Sequence, residues 1–320
     1  MKVYIFGAYK DFRCMAGKCQ ATCCSGWKIV VDKEAYERFI ELEDESLRAD
    51  ILSNIVEKDD VYSFKNMANG DCAMLDKDGL CRIQRNSDEK TLCNTCRKYP
   101  RLSFKDSDTM LLSMAASCPV VINYLCIQRY DDIWYQMTDD KKMYPVMLDD
   151  ITGLSDEIYK FEQLFIKIQD KYFEKGDRLC ELFYDFADIA VDMIIKCNDC
   201  VYLDGSFDIY EEQMDGHFFE EKYDSFIKLY GKNLFRFEKN YILYRILTAK
   251  YERSEQNTSE RSYQIAGEII MNRVIMLSLT QNEDFMDSIV QSVHWVYKAA
   301  VHGKISSSIM HKKVAEILSQ

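Results

Sequence analysis

Cys14, Cys19, Cys23 and Cys24 place four thiols within eleven residues, and no other stretch constrains this chain as strongly. A packed core uses cysteine singly, as a small hydrophobe. Thiols at this density mean metal, redox chemistry or disulfides. Ten of the 13 cysteines lie in residues 14–126, the other six being Cys72, Cys81, Cys93, Cys96, Cys118 and Cys126. Cys180, Cys197 and Cys200 follow much later. This contrast divides the chain into a Cys-rich module, residues 1–128, and a helical domain, residues 129–320. Turn chemistry at Tyr144-Pro145, Asp149-Asp150 and Thr152-Gly153 suits a boundary in that region.

Composition decides which chemistry the thiols serve. No stretch has signal-peptide character and none reaches the length of a membrane span, so a cytoplasmic protein is expected. In that reducing compartment thiols act as ligands or stay free rather than pairing. A net charge of −12 weighs against nucleic acid, whose phosphates need a basic surface. With 320 residues, 48% of them hydrophobic, the chain can bury one large core or two ordinary ones. Only 12 Gly and 3 Pro favour helices over a many-stranded sandwich or barrel, so a mainly α fold is expected.

Local patterns place the thiols on elements. Trp27–Val31 reads as a short buried strand. Asp32 caps a helix over 33–58, whose stripe includes Tyr36, Phe39, Leu47 and Ile51. Residues 59–71 read as loop. Cys72–Leu75 and Leu80–Ile83 flank Asp76-Lys77-Asp78-Gly79 and predict a hairpin, with Met74 opposite Cys81 and Cys72 diagonal to it. Cys93-x-x-Cys96 precedes Tyr99-Pro100, which points to an extended or turn-like segment. Pro119 starts a helix through 127. Further helices are expected at 155–175, 178–197, 216–230, 233–252, 260–280, 283–301 and 304–318, with Gly176 and Gly231 at helix ends.

All-thiolate ligation selects Zn²⁺ or an iron–sulfur cluster. Cys19 and Cys23, four apart, would share one face of a helical turn. Cys23 and Cys24 reach one centre only if the backbone turns, which Ser25-Gly26 permits. One regular knuckle, with the other thiols scattered, fits a cubane cluster at least as well as structural zinc. Nine thiols for four ligand positions leave several over or allow two centres. Cys180 and the Cys197–Cys200 pair read as packing. His217, His294, His302 and His311 read as helix-face residues. There is no dinucleotide fingerprint, Walker loop, nucleophile elbow or CxxxCxxC.

The ordered motifs Phe12-x-Cys14, Cys19-x3-Cys23-Cys24-x-Gly26-Trp27, Cys72-x2-Leu75, Asp78-Gly79-Leu80-Cys81-x-Ile83-Gln84, Leu92-Cys93-x-Thr95-Cys96-x2-Tyr99-Pro100-Arg101 and Ser117-Cys118-Pro119 resemble the flagellin lysine-N-methylases of the FliB type. They are also similar, more loosely, to small CxxCxxCC domains that chelate zinc or iron. The resemblance covers about residues 10–127; Met1–Lys10 match weakly. It implies methyl transfer from S-adenosylmethionine to lysine ε-amines of flagellin. It also implies a [4Fe–4S] cluster, with Zn²⁺ as the alternative. The candidate ligands are Cys14, Cys19, Cys23, Cys24, Cys72, Cys81, Cys96 and Cys118, with Cys93 placed behind them. A lysine attacks only as the neutral amine, and its ordinary pKa is about 10.4, so the site must desolvate it or supply a base. Tyr99 is the candidate orienting or proton-accepting group, and Arg101 the candidate partner of the donor's carboxylate. A structural turn is the competing role for both. The competing reading of the whole chain is a zinc- or iron-binding interaction protein without methyltransferase activity.

Overall fold

The computed structural model describes residues 1–19, 21–151, 153–173, 179–196, 216–280, 284–302, 312 and 314–317. Among these, helices dominate, as composition indicates, but two sheets accompany them. The first strand, β1 (Lys2–Phe6), occupies the middle of a five-stranded sheet. The other strands are β5 (Arg101–Lys105), β6 (Thr109–Met114), β7 (Trp134–Met137) and β8 (Met143–Pro145), in the order β5-β6-β1-β7-β8. β1 runs parallel to β6 and antiparallel to β7, so Ile5 faces Leu112 on one side and Tyr135 on the other. Flanked by partners on both edges, Tyr4, Ile5 and Phe6 are buried. The mainly α expectation holds, but this sheet adds to a β content expected to be a short hairpin and the 27–31 strand. Pairing partners this far apart leave no local signature.

The stretch 33–58 is also not one helix. Asp32 accepts from Ala35 N at 3.1 Å and starts α1 (Lys33–Ile40). Asp44 accepts from Leu47 N at 3.0 Å and starts α2 (Glu45–Ser53). A second capping carboxylate inside the apolar stripe restarts the helix there. The chain then forms β3 (Ile55–Lys58) and β4 (Val61–Phe64), which pair through a turn with Asp59 and Asp60 at positive φ. β4 also pairs with β2 (Val30–Val31), all of the 27–31 stretch that joins a ladder.

The expected hairpin at 72–83 contracts to one bridge, Leu75 opposite Cys81, so Met74 is not the partner. Asp76 N donates to Leu80 O at 2.8 Å across the turn, with Gly79 at φ 75°. The second arm cannot extend because Cys81 is the N-cap of a short helix, α3 (Arg82–Asn86). Likewise the Cys93–Cys96 segment is not extended. It forms α4 (Asn94–Lys98), which stops one residue before Tyr99-Pro100 as a proline demands.

The remaining helices are α5 (Pro119–Ile127), α6 (Ser155–Ile168), α7 (Leu179–Lys196), α8 (Gly216–Glu252), α9 (Thr258–Leu279) and α10 (Phe285–Tyr297). α9 is buried from Gln264 to Leu279 and packs against α6, α7, α8 and α10. Gly231 does not end a helix. α8 passes through it for 37 residues, with Ile227 and Phe235 against the glycine. Gly176, Cys197, Cys200 and most of 304–318 lie outside the described residues.

Two apolar clusters result. The large one joins the five-stranded sheet to the helices, and the small one lies beneath β2, β3 and β4 around Ile29, Phe39, Ile51, Phe64 and Ile83. Gly7 is a point of close approach at the edge of the first. A Cβ there would stand 1.9 Å from Tyr124 Oη and 2.9 Å from the Asp132 carbonyl. The Tyr124 hydroxyl donates to that carbonyl at 2.7 Å. Gly7→Ala is therefore expected to cost about 1–3 kcal/mol, read as a lower urea midpoint. Adding Tyr124→Phe should recover part of the loss, because it removes the clashing oxygen.

Candidate metal centre

The thiols reach one region from separate elements. Cys14 and Cys19 flank a 3-10 turn, Ala16–Lys18, that ends before Cys19; its backbone is extended (φ −74°, ψ 126°), so no helical turn aligns it with Cys23. Cys23 and Cys24 lie in a turn that Gly26 completes at φ 75°, in line with the sequence reading. The Trp27 indole donates to the Cys23 carbonyl at 2.7 Å, and Cys72 N donates to the Cys24 carbonyl at 2.6 Å. Cys81, Cys93 and Cys118 are the N-cap residues of α3, α4 and α5. A thiolate there meets the positive end of a helix. Cys96 sits inside α4.

The electrostatics follow from this crowding. The Cys23 thiol donates to Cys24, and burial adds to that bond, so Cys23 holds its proton far above the usual thiol range. The same bond pulls Cys24 down against its burial, helped by Thr22 and by the ammonium of Lys298 just beyond α10. Cys96 and Cys93 repeat the arrangement: their hydrogen bond raises Cys96 well above a free thiol and lowers Cys93. Burial pushes Cys72 and Cys118 up to about 12. For Cys118 the first-turn amides of Val120 and Val121 act the other way.

As a donor set, the region fits a thiophilic ion or an iron–sulfur cluster, since the candidate ligands supply sulfur alone. Two pairs of sulfurs are hydrogen-bonded, Cys23 with Cys24 and Cys93 with Cys96. Among the described residues no three Cys, His, Asp or Glu side chains gather as ligands of one ion. Binding would have to draw them in by side-chain rotation.

Tyr99 lies at the thiol cluster, with its ring 6.0 Å from Trp27 and its hydroxyl 3.1 Å from Ser117 Oγ. Burial and the nearby Cys118 and Cys23 raise its pKa well above that of free tyrosine. A phenol held protonated donates a hydrogen bond and orients; it does not accept the lysine's proton. His294 Nδ1, on α10, lies 2.6 Å from the Ser117 carbonyl and so ties the helices to the Ser117–Cys118 turn. Sequence gave no sign of this contact, because a histidine beside Trp295 reads as a helix-face residue. The Arg101 guanidinium lies 5.0 Å from the Phe12 ring centroid and 5.8 Å from that of Tyr9. It also donates to the Tyr9 and Phe12 carbonyls at 3.4 and 3.5 Å. These contacts make it a clamp on residues 9–12.

Cys126, in α5, is outside the candidate ligand set. Burial raises its thiol to about 12. The folded chain then keeps a proton that the unfolded chain releases near its ordinary pKa of about 8.5. The related stability is complete below that value and is lost between about pH 8.5 and 12, by up to about 1.4 kcal/mol per pH unit. Urea midpoints of Cys126→Val should fall less steeply than wild type over this alkaline range.

A separate cavity of about 210 Å³ is lined by Lys2, Tyr4, Asp106, Asp108, Lys250 and Tyr251, among others. It is smaller than the ~300–1,000 Å³ typical of cofactor pockets, and it sits on the β5–β6 turn rather than at the thiols.

Comparison with known proteins found no matching family model and no matching solved structure. Curated sequences do match. The chain is 31% identical over 115 residues to the flagellar biosynthetic protein FliU of Salmonella muenchen, a match covering 34% of this chain and 68% of FliU. It is 30% identical over 115 residues to the lysine-N-methylases of Salmonella typhimurium and Salmonella choleraesuis, but spans only 29% of their length. Similarity of this extent to FliU, shared with the methylases, shows that the chain belongs to the FliB-type flagellin lysine-N-methylase family.

Proposed function

We propose that this protein transfers a methyl group from S-adenosylmethionine to lysine ε-amines of a flagellar protein, flagellin being the first candidate. The observation that carries the reading is the 30% identity to two lysine-N-methylases. The described helices include none long and apolar enough to cross a membrane, so the chain can meet a soluble protein substrate without a bilayer. An iron–sulfur cluster held by thiols among Cys14, Cys19, Cys23, Cys24, Cys72, Cys81, Cys93, Cys96 and Cys118 would supply electron-transfer or Lewis-acid chemistry. The chain's own contribution is orientation. Tyr99 and Ser117 offer hydroxyls at the edge of the thiols, and the Trp27 ring supplies an apolar wall that favours the neutral amine. The reading is tested by incubating anaerobically purified protein with labelled S-adenosylmethionine and flagellin, followed by mass spectrometry. Methylated lysines are expected; no transfer by metal-loaded protein overturns it. Structural zinc in an interaction protein is the second reading. It is favoured by the way Cys72 and Cys93 are packed into the smaller apolar cluster. A colourless protein containing zinc and no iron would support it.

A further inference from the structure

The cavity at the β5–β6 turn combines an apolar lining with a charged mouth. Ile151, Leu154 and Leu247 line it and are buried. Lys2, Asp106 and Asp108 line it and are exposed. Tyr4, from the middle strand of the sheet, lines it too and is 3% exposed. Among the described residues no group hydrogen-bonds the Tyr4 hydroxyl, whereas a buried phenol ordinarily finds a partner. Burial, with the Asp108 carboxylate nearby, raises its pKa, so the hydroxyl keeps a proton to donate. Lys250 is fixed from another side: its Nζ donates to the Gly153 carbonyl at 2.8 Å, in a turn where Gly153 takes φ 81°. An ammonium has three donors, so two remain for a ligand. Asp108 Oδ1 accepts from Thr109 Oγ1 at 3.2 Å, and its other oxygen accepts nothing among the described residues.

We propose that this cavity binds a free apolar α-amino acid as its zwitterion. Lys250 and the Tyr4 hydroxyl take the carboxylate, Asp106 and Asp108 take the ammonium, and Ile151, Leu154 and Leu247 receive the side chain. The charges select this class. Two ammoniums, Lys2 and Lys250, balance two carboxylates, Asp106 and Asp108, so a ligand of one sign meets as much repulsion as attraction. A molecule carrying both signs gains from each. Size selects it as well: about 210 Å³ is too small for a whole cofactor, and an amino acid carries both charges on a single carbon. β5 separates the cavity from the thiols. It runs from Arg101, two residues after Tyr99, to Lys105, a length of roughly 14 Å at about 3.4 Å per residue. The occupant therefore takes no part in chemistry at the thiols, and the proposal is independent of the methyl-transfer reading.

The test is isothermal titration calorimetry of the full chain with L-leucine and L-methionine. Two further probes each lack one charge of leucine: 3-methylbutylamine has no carboxylate and 4-methylpentanoate has no amine. At least one amino acid is expected to bind, with each of the two analogues about tenfold or more weaker than leucine, because each forfeits charge-assisted hydrogen bonds. Tyr4→Phe keeps the buried ring and removes only the hydroxyl, so it should weaken the amino acid about tenfold. Lys250→Met, at a half-buried position, should bring leucine down to the affinity of the amine. Circular dichroism checks both variants, and Lys250→Met alone decides if Tyr4→Phe fails to fold. Binding of neither amino acid at millimolar concentration means that the cavity holds water only, and overturns the proposal. The amine binding as tightly as leucine, or unchanged affinity in folded Lys250→Met, also overturns it.

Discussion

Glu268→Ala is expected to cost about 3–5 kcal/mol of folding stability, the range for removing one partner of a buried ion pair. Arg245 and Glu268 are both fully buried. The guanidinium binds the carboxylate in a fork, Nε to Oε2 at 2.8 Å and Nη2 to Oε1 at 3.0 Å. Burial works against the Arg245 charge, but Glu268 and Glu252 more than offset it and hold its pKa well above the usual value. Tyr241 donates to Glu268 Oε2 at 2.9 Å, and the Gln264 amide donates to Oε1 at 3.0 Å. Alanine would strip three side chains, with four donor groups between them, of their acceptor and leave the guanidinium with Glu252 as its remaining carboxylate, at 2.6 Å. Urea denaturation should show the loss as a lower midpoint. Replacing both partners, Arg245→Met with Glu268→Leu, should recover only part of it, because the apolar pair removes two buried charges but leaves Glu252, 7% exposed, without its guanidinium. Asp78→Ala at the surface Arg85 pair should leave the urea midpoint nearly unchanged, since water already solvates both charges.

Trp134→Ala should be comparably severe, about 3–5 kcal/mol, the usual cost of deleting a large buried aromatic. Trp134 is 2% exposed and sits where β7 pairs with Phe6 of β1. Its ring meets Phe6 edge-on at 5.6 Å and stacks on Tyr244 of α8 at 6.3 Å. Its indole N–H donates to the Leu243 carbonyl at 3.2 Å. One side chain therefore joins the sheet to α8. Trp134→Phe keeps most of the apolar volume and loses the hydrogen bond, so about 1 kcal/mol beyond the volume change is expected. The consequence extends toward the thiols. Tyr244 also donates to the Met114 carbonyl at 2.7 Å, at the end of β6 and shortly before Ser117 and Cys118. Hydrogen exchange in Trp134→Ala should rise at residues 114–118 before it rises in α1 and α2, which pack in the other apolar cluster.

Features whose causes lie within a few residues were legible in the sequence. Asp32 caps α1, Pro119 opens α5, and Gly26 turns the chain after the doublet, each because a local backbone preference selects one geometry. The boundaries of α9 and α10 were readable within a few residues for the same reason. Features set by distant partners were not legible. β1 is a central strand because β6 and β7, more than a hundred residues away, supply its hydrogen bonds. Gly231 reads as a helix end until Ile227 and Phe235 are seen packed around it.

The metal region divides in the same way. Thiol number, order and softness are properties of residue types, and the sequence by itself determined a sulfur-only donor set and the family resemblance. The tertiary structure decided which thiols are neighbours. It placed Cys81, Cys93 and Cys118 at helix N-termini, hydrogen-bonded Cys23 to Cys24 and Cys93 to Cys96, and brought His294 across from α10 to the Ser117 carbonyl. Those choices depend on how two apolar clusters close against each other, and a covalent sequence carries no record of that distance.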